Sequence, residues 1–113
     1  MSSTAIDPII FSEVSELMED SLPIFIETYI KNTHKLLGEL EQAIPAEDAD
    51  NIFNNAHQLK GGSGSIGAMQ VFRIAKQMED IIKDGSREAE LGSLFSELKV
   101  AYLDAESELK ALL

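Results

Sequence analysis

Apolar residues recur at steps of three and four along almost the whole chain, and nowhere alternate with polar ones for long. That spacing lines one face of a helix turn after turn and offers no face to a sheet, so the chain is expected to be all-α. Its 113 residues fit one domain, 1–113, and leave no room for a second. A hydrophobic fraction of 44% supplies a core, which separates the chain from a disordered acidic polymer. Twenty acidic residues stand against 9 basic ones, a net charge of −11 with His neutral. Phosphate backbones and anionic membrane surfaces both require basic faces, so neither nucleic acid nor a membrane is expected as a partner. No apolar run approaches the roughly 18 residues of a membrane span. The first residues lack the basic and then apolar pattern of a secretory signal, and a cytoplasmic location is expected. Cysteine is absent, which excludes disulfides, thiolate metal sites and a Cys nucleophile.

Capping signals divide the periodic pattern. Asp7 is a good N-cap, and Pro8 fits the first helical position, where its missing N–H costs nothing. The helix they start holds more apolar residues than one stripe needs: Ile9, Ile10, Phe11, Val14, Leu17 and Met18. It either caps a bundle or leaves part of itself as an exposed docking patch. A second helix is expected from a Ser21 cap to about Ile44, stopped by Pro45. Its stripe runs through Leu22, Ile26, Tyr29, Ile30, Thr33, Leu37, Leu40 and Ile44. A third begins near Glu47 with the stripe Ala49, Ile52, Ala56, Leu59 and Ser63. A fourth covers Gly67 to Asp84, with Gly85 as its C-terminal stop. Val71, Phe72, Ala75, Met78, Ile81 and Ile82 are its inward residues. A fifth starts at Ser86 or Ser93 and carries apolar residues from Leu91 to Leu112. Short connections make consecutive helices antiparallel, so the expected architecture is an antiparallel up-down four-helix bundle with a short extra N-terminal helix.

One stretch breaks this pattern. Four of the seven glycines lie between Gly61 and Gly67, just after His57 and Lys60. Gly62 to Gly67 spells G-x-G-x-x-G, but that phosphate-binding motif acts only after a strand in a βαβ unit, and what precedes it here is helical. A flexible Gly/Ser turn, the plain choice from Gly64 onward, leaves unexplained why glycines follow the histidine so closely. A third possibility is clearance. On a helical wheel His57 lies roughly 120° from the centre of the apolar stripe and faces solvent. Gly61 and Gly64, four and seven residues on, share its face, and Lys60 flanks it. An imidazole in a clearing beside one cation suits phosphoryl transfer to histidine. A neutral imidazole is nucleophilic near its unperturbed pKa of about 6.5. A nearby cation stabilises the charge on the transferred group, and in-line attack requires open space.

The run from His57 to Ala68 (His-Gln-Leu-Lys-Gly-Gly-Ser-Gly-Ser-Ile-Gly-Ala) closely resembles the signature of histidine-containing phosphotransfer (Hpt) domains. That signature is H-x-L-K-G, two small residues, two variable ones, an aliphatic residue, then Gly and a small or apolar residue. Length, helical pattern and placement of the histidine in the third helix extend the resemblance to essentially the whole chain. Gly62, where Ser is common, is the one departure. The resemblance implies that His57 is phosphorylated, that Lys60 assists with the phosphoryl charge, and that Gly61 permits access. Gly67 would then belong to the junction before the next helix. Gly61, Gly64 and Gln58 are expected to admit the partner. That partner would be a response-regulator receiver domain or the receiver of a hybrid sensor kinase, with Mg²⁺ belonging to the receiver. The chain itself is expected to be a free-standing monomer that needs no cofactor and has no kinase activity of its own.

Other residues offer less. His34 also has a glycine four residues on, Gly38, but Leu37 rather than a lysine at the third, and is expected to be an ordinary surface residue. Two distant histidines and scattered carboxylates make no metal site. Ser63 and Ser65 lack an evident base. The rival functions are a non-catalytic helical adaptor, and a helical enzyme using His57 as general base with no second buried group apparent.

Overall fold

The computed structural model describes residues 5–113. Helix α1 (Pro8–Met18) starts where Asp7 and Pro8 place it, with Asp7 Oδ1 accepting from the amides of Ile9 and Ile10. A 3-10 turn, Glu19–Ser21, leads directly into α2 (Leu22–Ala43). Ser21 therefore does not cap α2 with its side chain, because its backbone is already helical. Pro45 ends that helix as expected. Helix α3 (Ala49–Ile66) is capped by Asp48, whose carboxylate accepts from the Asn51 amide, and so begins two residues after Glu47. Helix α4 (Met69–Asp84) follows after two residues. A second 3-10 turn, Glu88–Glu90, opens α5 (Leu91–Ala111), which starts ahead of Gly92 and not at Ser86 or Ser93. No strand occurs among the described residues.

Helices α2 to α5 form the four-helix bundle: α3 packs on α2 and α4, and α5 closes the ring against α4 and α2. Short connections make neighbours antiparallel. The core runs through fully buried Ile26, Leu40, Ile52, Leu59, Met78 and Leu98. Buried Tyr29 and Ser63 satisfy one another through a 2.7 Å hydroxyl–hydroxyl bond. Three residues expected to face inward lie outside the core: Ala49 sits exposed on the first turn of α3, Phe72 is half-buried beside Gly64, and Leu112 falls past the end of α5.

Helix α1 packs across α3 and α2 at one end of the bundle and buries none of its own residues; Ile9 and Leu17 are exposed. The segment before it does the anchoring. Ile6 is buried, and the amides of Ala5 and Ile6 both donate to the Glu108 carboxylate of α5. The Asp7 amide donates to the Gly67 carbonyl at the α3–α4 junction. Gly67 holds φ 93°, and a Cβ there would meet the Asp7 carbonyl oxygen at 3.2 Å, so both conformation and space require glycine.

Candidate functional site

The third helix does not end where the glycines begin. It continues through Gly61, Gly62 and Gly64 to Ile66, so the run is helix and not turn up to Gly67. His57 stands on its solvent side, 61% exposed. Opposite it, α4 delivers Glu79, whose side chain is only 5% exposed. One carboxylate oxygen lies 2.6 Å from His57 Nδ1, and the other accepts from Lys60 Nζ at 2.8 Å. Burial pushes the Glu79 carboxyl up, but hydrogen bonds and charge from Lys60 and His57 outweigh it and hold it below the usual carboxylate range. It is thus ionised near neutral pH. Facing an ionised acceptor, Nδ1 carries the proton and donates, which leaves Nε2 of the neutral ring with its lone pair. Phe53, one turn earlier on α3, lays its ring parallel to the imidazole, with planes 6° apart and centroids at 5.9 Å. The ring is therefore fixed by Glu79 on one edge and flanked by Phe53 on one face.

The sequence-predicted residues are only partly brought together. His57 and Lys60 meet through Glu79. Gly61 has open space where a Cβ would stand. Gly64 does not: a Cβ there would come within 3.1 Å of the Phe72 ring of α4, so this glycine admits a neighbouring helix and not a visitor. Gln58 is exposed but lines a different surface, an open groove between α2 and α3 with Tyr29, Gly62 and Ser65. Ser63 is buried against Tyr29 and is unavailable as a nucleophile. His34 is not a bare surface histidine, since its Nε2 bonds to Glu106 of α5.

Glu79 is the residue sequence reasoning missed. Its signal was present: it falls four residues after Ala75 and three before Ile82, a carboxylate on the apolar stripe of α4. It supplies the second buried group that the periodic pattern did not reveal. Phe53, four residues before His57, was equally legible from spacing.

The chain is similar to known proteins. A family model described as the Hpt domain matches residues 25–113. Histidine-containing phosphotransfer protein 4 of Arabidopsis thaliana is 32% identical over 95 residues, covering 79% of this chain and 74% of that protein. Histidine-containing phosphotransfer protein 1 of Oryza sativa subsp. japonica is 25% identical over 109 residues, covering 91% and 74%. The crystal structure of histidine-containing phosphotransfer protein B from Pseudomonas aeruginosa PAO1 superposes with a TM-score of 0.91, covering 97% of this chain and 95% of that one. At 24% identity this last likeness speaks for the fold.

Proposed function

The chain belongs to the histidine-containing phosphotransfer (Hpt) domain family and has its phosphorelay role, and from that premise we propose that His57 Nε2 is the nitrogen that accepts and donates the phosphoryl group. The observation that supports this most is the Glu79 carboxylate on Nδ1, which fixes the nucleophilic tautomer and aims Nε2 outward. Attack forms an Nε2–P bond as the receiver's aspartyl oxygen–phosphorus bond breaks, and the aspartate leaves with the electron pair. The ring, still protonated at Nδ1, is then cationic, and Glu79 carries the counter-charge. Lys60 uses one of its three N–H donors on Glu79 and keeps two for the phosphoryl oxygens. Gly61 leaves the approach open, and Gln58 meets the partner at the edge of the α2–α3 groove.

Family members interact with receiver domains of two-component systems. The finer assignments are ours: a receiver of a hybrid sensor kinase as donor, a response regulator as acceptor, and Mg²⁺ bound by the receiver. So are a single domain over 1–113, a monomer, and a cytoplasmic setting. No helix among the described residues is long and apolar enough to cross a membrane. An intermediate of this kind needs no kinase activity of its own. Incubation with a phosphorylated receiver tests the site. His57→Gln should keep its helical circular dichroism and accept no acid-labile, alkali-stable label, while His34→Gln transfers from the receiver like wild type. A labelled His57→Gln would remove His57 from this role.

A further inference from the structure

A second histidine in this bundle stands in a setting assembled from the same parts. His34 on α2 is 58% exposed, and its Nε2 lies 2.5 Å from Glu106 Oε1 on α5. Glu106 is 12% exposed, and its other oxygen holds Lys110 Nζ at 2.9 Å. Around His57 the corresponding groups are Glu79 and Lys60. The Tyr102 ring stands edge-on to the His34 imidazole with centroids 5.6 Å apart, where Phe53 lies beside His57. Burial pushes the Glu106 carboxyl up, but hydrogen bonds from Lys110, His34 and Tyr102 outweigh it and hold it down to about 2, so it is an anion near neutral pH.

Gly38 is the observation that makes this more than a tie between α2 and α5. It lies one turn after His34, in the interior of α2, and a Cβ there would meet nothing within 4 Å. Packing does not require glycine at that position, and its φ is not in the left-handed region. Glycine in a helix interior costs about 1 kcal/mol relative to alanine. The one other helical glycine one turn past a histidine is Gly61, also with open space at its Cβ. Each histidine therefore has an anionic anchor for one nitrogen, a lysine on that anchor, and bare backbone one turn on.

The two sites differ in which nitrogen is left over. Glu106 holds Nε2, so Nε2 carries the proton and the lone pair of the neutral ring sits on Nδ1, to which the described residues offer no hydrogen bond. We propose that His34 is a second phosphoryl acceptor, reacting at Nδ1 with small acyl phosphates and not with a receiver. Nδ1 is the ring nitrogen nearer the backbone, so a small donor reaches it with less of its own bulk against α2 than a phosphoryl group carried on a protein surface would bring. The Nδ1 lone pair attacks phosphorus, the N–P bond forms, the acyl oxygen–phosphorus bond breaks, and the carboxylate leaves with its electron pair. The ring remains protonated at Nε2 against Glu106, which carries the counter-charge. The parallel rests on His57 being the acceptor in the relay, but the two claims separate experimentally.

Acetyl phosphate is the probe, and phosphorus NMR of the full-length chain is the readout, because Nδ1- and Nε2-phosphohistidine resonate at different positions. Wild type should show both isomers. His34→Gln should lose the Nδ1 signal alone, and His57→Gln the Nε2 signal alone. Gly38→Leu leaves the Glu106 anchor in place while covering the approach, and should lower the Nδ1 signal at least fivefold without touching the Nε2 signal. It also serves if His34→Gln disturbs the α2–α5 contact. A single Nε2 signal in wild type, or an Nδ1 signal that survives His34→Gln, would overturn the proposal. Loss of receiver-dependent label in His57→Gln decides the relay assignment separately.

Discussion

Replacing Glu79 by Gln isolates the charge of the anchor from its geometry. The amide oxygen of glutamine still accepts from His57 Nδ1, so the tautomer is retained, and what disappears is the negative charge facing the ring. That charge matters most when phosphorylation makes the imidazole cationic. Two unit charges about 4 Å apart interact by about 4 kcal/mol at an effective dielectric of 20 and by about 1 kcal/mol in water. Glu79 is 5% exposed and His57 61%, so the pair lies between these limits, near 2 kcal/mol. A loss of that size in the transition state slows transfer roughly 30-fold. Lys60 is released at the same time, so the measurement is made in both the Lys60 and Lys60→Met backgrounds, and the coupling is taken from the cycle. Single-turnover transfer from a phosphorylated receiver, at saturating receiver, gives the rate, and nitrogen-15 NMR of the imidazole reports the tautomer. Transfer within threefold of wild type, with the tautomer unchanged, would refute the role given to the Glu79 charge.

Three other outcomes are expected. Lys60→Ala should lower the single-turnover rate at saturating receiver more than it weakens docking, because phosphoryl charge is most dispersed in the transition state; a change confined to apparent affinity would make Lys60 a docking residue. Gly61→Ala should raise the melting temperature, by up to about 1 kcal/mol of helix stability, whereas Gly64→Ala should gain less because the Phe72 ring must give way; Gly61→Gln should stay folded and transfer poorly. Acid should weaken the Glu106 cluster with a definite sign. Its carboxyl is lowered from an ordinary 4.5 to about 2 in the folded chain, so its contribution is complete above about 4.5 and is lost as pH falls toward 2. The stability gap between wild type and Glu106→Gln, read from urea melts, should therefore shrink across that window, and a gap independent of pH would contradict the assignment.

What could be foreseen in the chain divides by range. Asp7 and Pro8, Pro45 and Gly85 punctuate helices through their own backbone chemistry, and each acts where local rules place it. The outward position of His57 follows from its own helix, since Ile52, Ala56 and Leu59 fix the buried side. Residues whose meaning comes from another helix were read less well. Gly64 looks like clearance on a wheel of α3 alone and becomes a packing contact only when Phe72 arrives from α4. Glu79 lies 22 positions beyond His57 in sequence and 2.6 Å from it in space. His34, with Leu37 and not a lysine three residues on, reads as an ordinary surface residue, yet the Lys110–Glu106 pair from α5 comes to the same imidazole. Periodicity tells which face of a helix is wet and says nothing of what the neighbouring helix brings to it.

The two amides that Glu108 holds give α1 a mechanical character unlike that of the other helices. Its N-terminal end is latched three times, through Ile6 in the core, the Ala5 and Ile6 amides on α5, and the Asp7 amide on Gly67. Its remaining length lies on the bundle without one buried side chain. Local opening of such a helix frees its amide hydrogens at a free energy well below that of global unfolding, because only its half-buried contacts with α2 and α3 have to be given up. The first and last helices of the chain are thus sewn together at one point, while the Glu19–Ser21 turn ties α1 to α2, so the surface under α1 is uncovered by local unfolding of that one helix and not by melting the bundle.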